Sequence, residues 1–393
     1  MPKLIRITTV PLSLKSLLSN QMKYMKENGF DVIMVSSDGK EWPDLIRNEG
    51  CHYRVIPMAR KIAPFRDLQS LWRLYRLFKK EKPDIVHSHT PKAGLLAMLA
   101  AAFAGVKIRI HTIAGLRFVT ATGLSRRILV LMERLTGKAA QYVWPNSFSL
   151  LNYIRKENLV KEKKLQVIGH GSSNGVDIRR YSVSALKMDK LNEVKQQLNY
   201  DERLIYLLNM GRIVKDKGID EVLHAFKIVH ADNTALRLIV LGSFEDDLDP
   251  ISNEAREILT THPAVIHINW SDQAEYFMHL SRLMIHASYR EGFPSTLLQA
   301  GAMQCPIVCS AIDGNIDVVT HLETGLLFQS QNANDLLEKL KNALQHPEEM
   351  EHYAANLRYK IENNFDQEYL HACLKEKYLE LLNRKGSLKN APL

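Results

Sequence analysis

The sequence predicts an α/β protein made of two doubly wound, Rossmann-like domains. Three observations predict it. Apolar strand-like runs alternate with segments of helical periodicity along most of the chain, a pattern that means parallel strands with helices on both faces. The alternation breaks once, at Gly169-His170-Gly171-Ser172-Ser173-Asn174-Gly175-Val176-Asp177, where glycines, serines and an Asn-Gly pair mark turns. The length, 393 residues, is more than one hydrophobic core supports. The expected domains are 1–180 and 181–365, followed by 366–393 as a C-terminal helix that packs back towards the first domain and ends in a loose tail after Lys385.

In the first half, residues 4–9, 30–35, 52–56, 84–88, 107–112, 142–144 and 165–168 read as strands. Leu14, Leu17, Leu18, Met22 and Met25 recur at helical spacing, with Gly29 beyond the end of that helix. The stretch 93–106 is apolar but only about 14 residues long, short of the ~20 needed to span a bilayer. It reads as a buried helix stopped by Gly105. The second half repeats the architecture without repeating the sequence. Its strands are expected at 204–210, 236–241, 265–268, 283–287 and 306–309, a helix at 220–229, and mostly helix after Asn332.

The formal net charge is +9. Lys61, Arg66, Arg73, Arg76, Lys79, Lys80 and Lys82 accompany Phe65, Leu68, Leu71, Trp72, Tyr75 and Phe78. A second group sets Arg126, Arg127, Arg134 and Lys138 among Ile128, Leu129, Leu131 and Met132. Such helices fit an anionic membrane surface or an anionic acceptor; taken singly, each reads more plainly as a solvated face over a core helix. No nucleic-acid motif accompanies the charge, so no nucleic-acid partner is expected. Cys51, Cys305, Cys309 and Cys373 lack the paired spacing of a zinc site and read as reduced core residues. No apolar core with a cleavage site follows the N-terminus, so a cytoplasmic protein is expected, peripheral on the inner face of the plasma membrane if the basic helices bind lipid.

Two stretches carry chemistry. After the apolar run 283–287 come Arg290, Glu291, Gly292, Phe293, Pro294, Ser295 and Thr296, then Leu297, Gln299, Ala300 and Met303. This reads as a strand, an acidic turn and a helix capped by Ser295 or Thr296. The free N–H groups of such a helix start suit a phosphate or a sugar hydroxyl. The second stretch, Gly211-Arg212-Ile213-Val214-Lys215-Asp216-Lys217-Gly218, follows the first strand of the second domain. It is neither a P-loop nor a dinucleotide fingerprint. Gly211 permits a tight turn, Arg212 offers a forked contact to phosphate oxygens, and Lys217 adds a point charge. Both stretches belong to the carboxyl edge of one sheet, where α/β proteins bind ligands. The plain alternative is a solvated basic loop beside an ordinary turn.

Taken together, Gly-Arg-x4-Lys-Gly at Gly211 to Gly218, Glu-Gly-Phe-Pro-Ser-Thr at Glu291 to Thr296, Asn-Gly-Val-Asp at Asn174 to Asp177, and Gly314 with Asp317-Val318-Val319 and Glu323-Thr324-Gly325-Leu326-Leu327 resemble glycosyltransferase family 4, of the GT-B fold. The resemblance implies two Rossmann-like domains facing across a cleft. From Thr90-Pro91-Lys92-Ala93-Gly94 through His111-Thr112 to Glu133-Arg134, the chain is similar to members that build bacterial surface polysaccharides on a lipid carrier. It further implies that Arg212 and Lys217 hold the diphosphate of a nucleotide sugar, a UDP-sugar being favoured, and that Glu291 contacts the donor sugar. Gly211, Gly292, Phe293, Pro294, Ser295 and Thr296 would line the donor. His111 matches the family's active-site histidine. Gln299 stands where members usually carry a second Glu that contacts the ribose, and Thr9 to Ser13 replace paired glycines found after the first strand. The implied activity is hexosyl transfer with retention of configuration, to a lipid-linked or saccharide acceptor. No Asp-x-Asp metal-binding signature stands out at a strand end, so neither metal nor cofactor is expected. Two rival readings are a non-catalytic sugar or nucleotide binder and a sugar-nucleotide epimerase of the same fold.

Overall fold

The computed structural model describes residues 1–59, 63–245 and 249–386. Lys61 of the expected basic group and residues 387–393 of the expected tail lie outside them. The chain forms two compact units, Met1–Asn174 together with the chain from Gln367 onward, and Gly175–Asp366. The division falls between residues 174 and 175, inside the glycine-rich break, where the sequence reading sets it at 180/181.

The first unit holds a parallel sheet of six strands: β1 (Lys3–Ile7), β2 (Asp31–Ser36), β3 (His52–Val55), β4 (Ile85–Ser88), β5 (Ile108–Ile113) and β6 (Tyr142–Pro145), in the order β3-β2-β1-β4-β5-β6. The central strands are buried on both faces, and for that reason they read in the sequence as apolar runs rather than as alternations. Ile5, Ile7, Ile33 and Val35 face one core with Leu74, Phe78, Leu96 and Ala97. Leu4, Val32, Met34, Ile108 and Ile110 face another with Met22, Met25, Tyr378 and Leu381. The C-terminal helix Gln367–Arg384 thus completes the second of these cores.

The second unit repeats the plan with β7 (Ile205–Met210), β8 (Leu236–Leu241), β9 (Val265–Ile268), β10 (Leu283–His286), β11 (Ile307–Ser310) and β12 (Leu326–Phe328), ordered β12-β11-β10-β7-β8-β9. Counted from its own first strand, each sheet runs 3-2-1-4-5-6, the doubly wound order. Leu207 and Leu238 face the helix Ile219–Asp232, and Tyr206 and Leu208 face the opposite core with Leu297 and Leu357.

Two local expectations differ. Residues 14–25 form two helices, Pro11–Leu17 and Gln21–Glu27, because Asn20 between them is left-handed, with φ 64°. Residues 165–168 form no strand: Leu165 makes a single bridge to Val143. The apolar stretch from Ala93 lies, as expected, in a helix, Pro91–Ala104, that ends at Gly105. Among the described residues no helix is long and apolar enough to cross a membrane. The cysteines are all free thiols.

A buried polar cluster interrupts the first unit's core. Arg6 Nη1 donates to the Tyr378 hydroxyl (2.6 Å), and Nη2 meets Gln21 Oε1 and His89 Nε2. His87 lies between the Tyr378 hydroxyl (2.5 Å) and Thr112 Oγ1 (2.7 Å). Asn174 Oδ1 accepts from Gln21 Nε2 (3.0 Å) and meets His371 Nε2 (2.8 Å). A cavity of about 30 Å³, of the size of a bound water or two, lies beside His89, Trp144 and Asn146.

Candidate functional site

The strand order of the second sheet assembles the site. Strand β7 lies between β10 and β8, so the segments that leave their carboxyl ends are neighbours. These are the loop Gly211 to Gly218, the turn from Ala287 to Pro294, and Gly242 to Glu245.

The loop and the turn are tied together at several points. Lys217 Nζ donates to Glu291 Oε1. Arg290 Nη2 donates to Asp216 Oδ2, and the Tyr289 amide donates to the Asp216 carbonyl (2.9 Å). Gly218 has φ 69°, and a Cβ there would stand 2.2 Å from the Ala287 carbonyl oxygen. Only glycine lets the start of the helix Ile219–Asp232 lie this close to the end of β10. Gly314, at φ 87°, plays the same part on the other side, since its Cβ would fall 2.6 Å from the Gly292 carbonyl oxygen.

Glu291 is the electrostatic centre of this edge. Its side chain is 16% exposed and that of Lys217 20%. His286 Nε2 lies 3.3 Å from the same Glu291 oxygen, without a well-aligned hydrogen bond. Burial alone would raise the Glu291 pKa, but the Lys217 charge and the contact with His286 outweigh it and hold the carboxyl well below the usual range. Arg212 turns to Glu245 (2.8 Å) and keeps its guanidinium partly exposed, at 44%. Lys217 and Glu291 are thus brought together, while Arg212 is engaged on the β8 side of the same edge.

Gly292, Phe293 and Pro294 are buried, and Phe293 packs on Phe365 with ring centroids 5.2 Å apart. The helix that follows is Ser295–Ala302, and its N-cap is Pro294 with no side-chain cap. The expected capping by Ser295 or Thr296 is therefore corrected. Both residues lie inside the first turn, and Pro294 supplies the extended backbone (φ −75°, ψ 111°) that a cap position needs. Among the described residues no side-chain cap serves the leading N–H groups of this helix, an arrangement that suits an anion. Gln299 is half-buried and makes no side-chain hydrogen bond among the described residues.

His111 belongs to the first unit. It lies on β5, 2% exposed, with Nδ1 3.0 Å from Ser88 Oγ on the neighbouring strand. Its ring occupies the space a side chain at residue 94 would need: a Cβ on Gly94 would come within 2.3 Å of Cε1. Burial lowers its pKa to about 4, so the imidazole is neutral at pH 7.

Sequence reasoning missed His286, Asp216, Arg290 and Glu245. His286 did leave a signal, as a polar residue ending an otherwise apolar strand. The others form pairs that only the strand order reveals. Among the described residues no group of three or more His, Cys, Asp or Glu side chains is placed to hold a metal ion.

The first unit presents a second feature. The helix Pro64–Glu81 exposes Phe65 (92%), Leu68 (64%) and Trp72 (55%) beside Arg66, Arg73 and Arg76, with the Arg76 guanidinium 4.7 Å from the Trp72 ring centre. The helix Gly123–Ala139 exposes Leu124, Leu131 and Leu135 beside Arg127 and Arg134. Both pack against Pro91–Ala104.

Comparison with known proteins matches residues 191–360 to the family model described as glycosyl transferases group 1, and residues 17–171 to the glycosyl transferase 4-like domain. The chain is 35% identical over 376 residues to the capsular polysaccharide biosynthesis glycosyltransferase CapM of Staphylococcus aureus, with 96% of each chain covered. It is 24% identical over 389 residues to the Escherichia coli UDP-Gal:alpha-D-GlcNAc-diphosphoundecaprenol alpha-1,3-galactosyltransferase, covering 98% of this chain and 96% of that one. Among solved structures, Anabaena HepE in complex with UDP and glucose superposes with a TM-score of 0.80 at 15% identity, covering 97% of this chain and all of that one. A glycosyltransferase from Rickettsia africae gives 0.79 at 19% identity, with 97% and 98% covered. At such identities the structural matches establish the fold, which is that of the GT-B glycosyltransferases.

Proposed function

The chain belongs to glycosyltransferase family 4, and from that premise we propose that it moves a hexosyl group from a UDP-sugar to a hydroxyl of a lipid-linked saccharide in bacterial polysaccharide biosynthesis. The observation that carries the reading is the meeting of Lys217 and Glu291 at the carboxyl edge of the second sheet, beside a helix start without a side-chain cap and within the same edge as Arg212. The relatives support the substrate class: one is named for capsular polysaccharide biosynthesis, another for a UDP-sugar donor and a diphosphoundecaprenol acceptor.

In this reading Arg212 and Lys217 neutralise the diphosphate as it departs. The N–H groups at Ser295 and Thr296 add their dipole to the same task. Fixed cations of this kind stabilise a leaving diphosphate without a metal ion. Glu291, held ionised, contacts the donor sugar, and Gln299 offers the ribose an amide where a carboxylate is usual. His111, in the first unit, is kept as a neutral imidazole. The acceptor hydroxyl attacks the sugar carbon on the face where the bond to the diphosphate breaks and passes its proton to the departing diphosphate oxygen, so configuration is retained. The exposed basic and apolar helices of the first unit rest on the anionic membrane that carries the acceptor.

The test is incubation with radiolabelled UDP-sugars and an undecaprenyl-diphosphate saccharide, with analysis of the anomeric linkage formed and a parallel reaction in chelator. Transfer that persists in chelator and gives the donor's own anomer is the expected result. Unchanged donor with every UDP-sugar, despite a UDP-induced rise in melting temperature, would leave a binding protein instead.

A further inference from the structure

His286 is the only polar side chain of β10, and it is buried, 3% exposed. A leucine would fill the end of a strand whose other residues are Leu283, Met284 and Ile285. Burying an imidazole there costs solvation that packing alone does not return. Its Nε2 has no well-formed hydrogen bond in the structure and stands 3.3 Å from Glu291 Oε1, the oxygen that Lys217 also engages. Glu291 therefore has two neighbours able to donate to one oxygen, and they differ in freedom. Lys217 sits at the end of a flexible four-carbon stem, on a 3₁₀ turn at the end of the loop. His286 is fixed in the sheet.

The proposed reaction asks two things of Lys217, to hold Glu291 and to meet the diphosphate. One ammonium drawn towards a diphosphate loosens its grip on the carboxylate. A buried carboxylate released in this way needs another donor or it moves.

We propose that His286 is a positioning residue for Glu291. It keeps hold of the carboxylate when Lys217 engages the diphosphate, and so fixes the group that contacts the donor sugar. This rests on the reading of Glu291 as a donor-sugar contact. A neutral imidazole protonated on Nε2 suffices, because it donates one hydrogen bond to Oε1.

The experiment compares His286→Leu, His286→Gln, Glu291→Gln and the double variant His286→Leu/Glu291→Gln. UDP affinity and turnover of a UDP-sugar used by the wild type are measured for each. His286→Leu is expected to leave UDP affinity within about twofold while lowering turnover, since displacement of a reacting group by about 1 Å costs up to ~100-fold. His286→Gln, whose amide also donates, should recover part of that loss. In the Glu291→Gln background His286→Leu should add little, because the two residues act as one unit. Wild-type turnover in His286→Leu overturns the proposal. So does a loss that multiplies in full in the Glu291→Gln background, or one matched by equal loss of UDP affinity. Wild-type turnover in Glu291→Gln alone sinks the reading of Glu291, a result separate from any failure at residue 286.

Discussion

Lys217 and Glu291 lie 74 residues apart in the chain and meet as a largely buried ion pair at the carboxyl edge of the second sheet. They meet because β10 lies directly beside β7. With Arg290 on Asp216 and the Tyr289 amide on the Asp216 carbonyl, the pair joins the cationic loop to the acidic turn. A loop already held in this way has less conformational freedom to lose when a donor binds.

Replacing Lys217 or Arg212 with alanine should lower donor turnover by roughly 10²–10³-fold each, the cost of removing one charge-stabilising contact from a transition state. Arg212 is partly exposed and its ion pair with Glu245 is worth about 0–1 kcal/mol. Arg212→Ala should therefore melt within a few degrees of the wild type. Steady-state kinetics and thermal unfolding of both variants check this. Near-normal turnover in both would remove the phosphate role.

Stability should fall as the pH is lowered from about 7 to 4. Burial lowers the pKa of His111 to about 4 and of His371 to about 3. It also holds His87 and His89 well below their ordinary value of 6.5. The unfolded chain takes up protons at these sites near pH 6.5 and the folded chain does not, so their contribution is complete above 6.5 and is lost as the pH falls towards the folded values. For His111 this amounts to about 3 kcal/mol. Glu133, raised to about 7 by burial, and Glu49, also raised, act in the opposite sense above their ordinary value of 4.5, but they are outnumbered. Unfolding midpoints between pH 4 and 8 test the trend, and His371→Asn should flatten it. A profile with the same slope in wild type and variant would count against the histidines as its source.

The Tyr378 hydroxyl serves two buried partners, Arg6 Nη1 and His87 Nδ1. Tyr378→Phe removes it and fills nearly the same volume. The loss is then one of hydrogen bonding, about 1.5–3 kcal/mol for a bond to a charged group. Denaturant unfolding should show a lower midpoint with little change in slope. Stability equal to that of the wild type would mean that Arg6 is satisfied without the C-terminal helix.

Much of this was legible in the sequence, and the residues show why. Leu236–Leu241 is buried at every residue but Arg237 and reads directly as a strand. The cationic loop and the acidic turn were both visible, because glycine, charge and proline stand at fixed offsets. What they pair with was not. The Lys217–Glu291 and Asp216–Arg290 contacts depend on β10 inserting next to β7 rather than after β9, and linear spacing carries no trace of that choice. Capping was misread because Ser295 and Thr296 are favourable cap residues, yet Pro294 has no N–H to lose and takes the position. Residues 165–168 have the composition of a strand, but they gain only one bridge at the sheet's margin.

The proposed membrane docking is separable from the chemistry and is tested on its own. Phe65, Leu68 and Trp72 are exposed at 92%, 64% and 55%, so replacing all three with serine removes nothing from the core. The triple variant should melt like the wild type and bind UDP like the wild type. It should also lose flotation with vesicles containing phosphatidylglycerol, because the apolar contact with the interface is gone. If this face docks, Arg66, Arg73 and Arg76 each add attraction of about 1 kcal/mol close to an anionic surface. Raising the salt should therefore weaken wild-type flotation, since exposed charges are screened beyond about 10 Å at 0.1 M. Reversing these three arginines to glutamate should abolish flotation at low salt. Failure of the wild-type protein to float with anionic vesicles at low salt would rule out this face as the membrane contact.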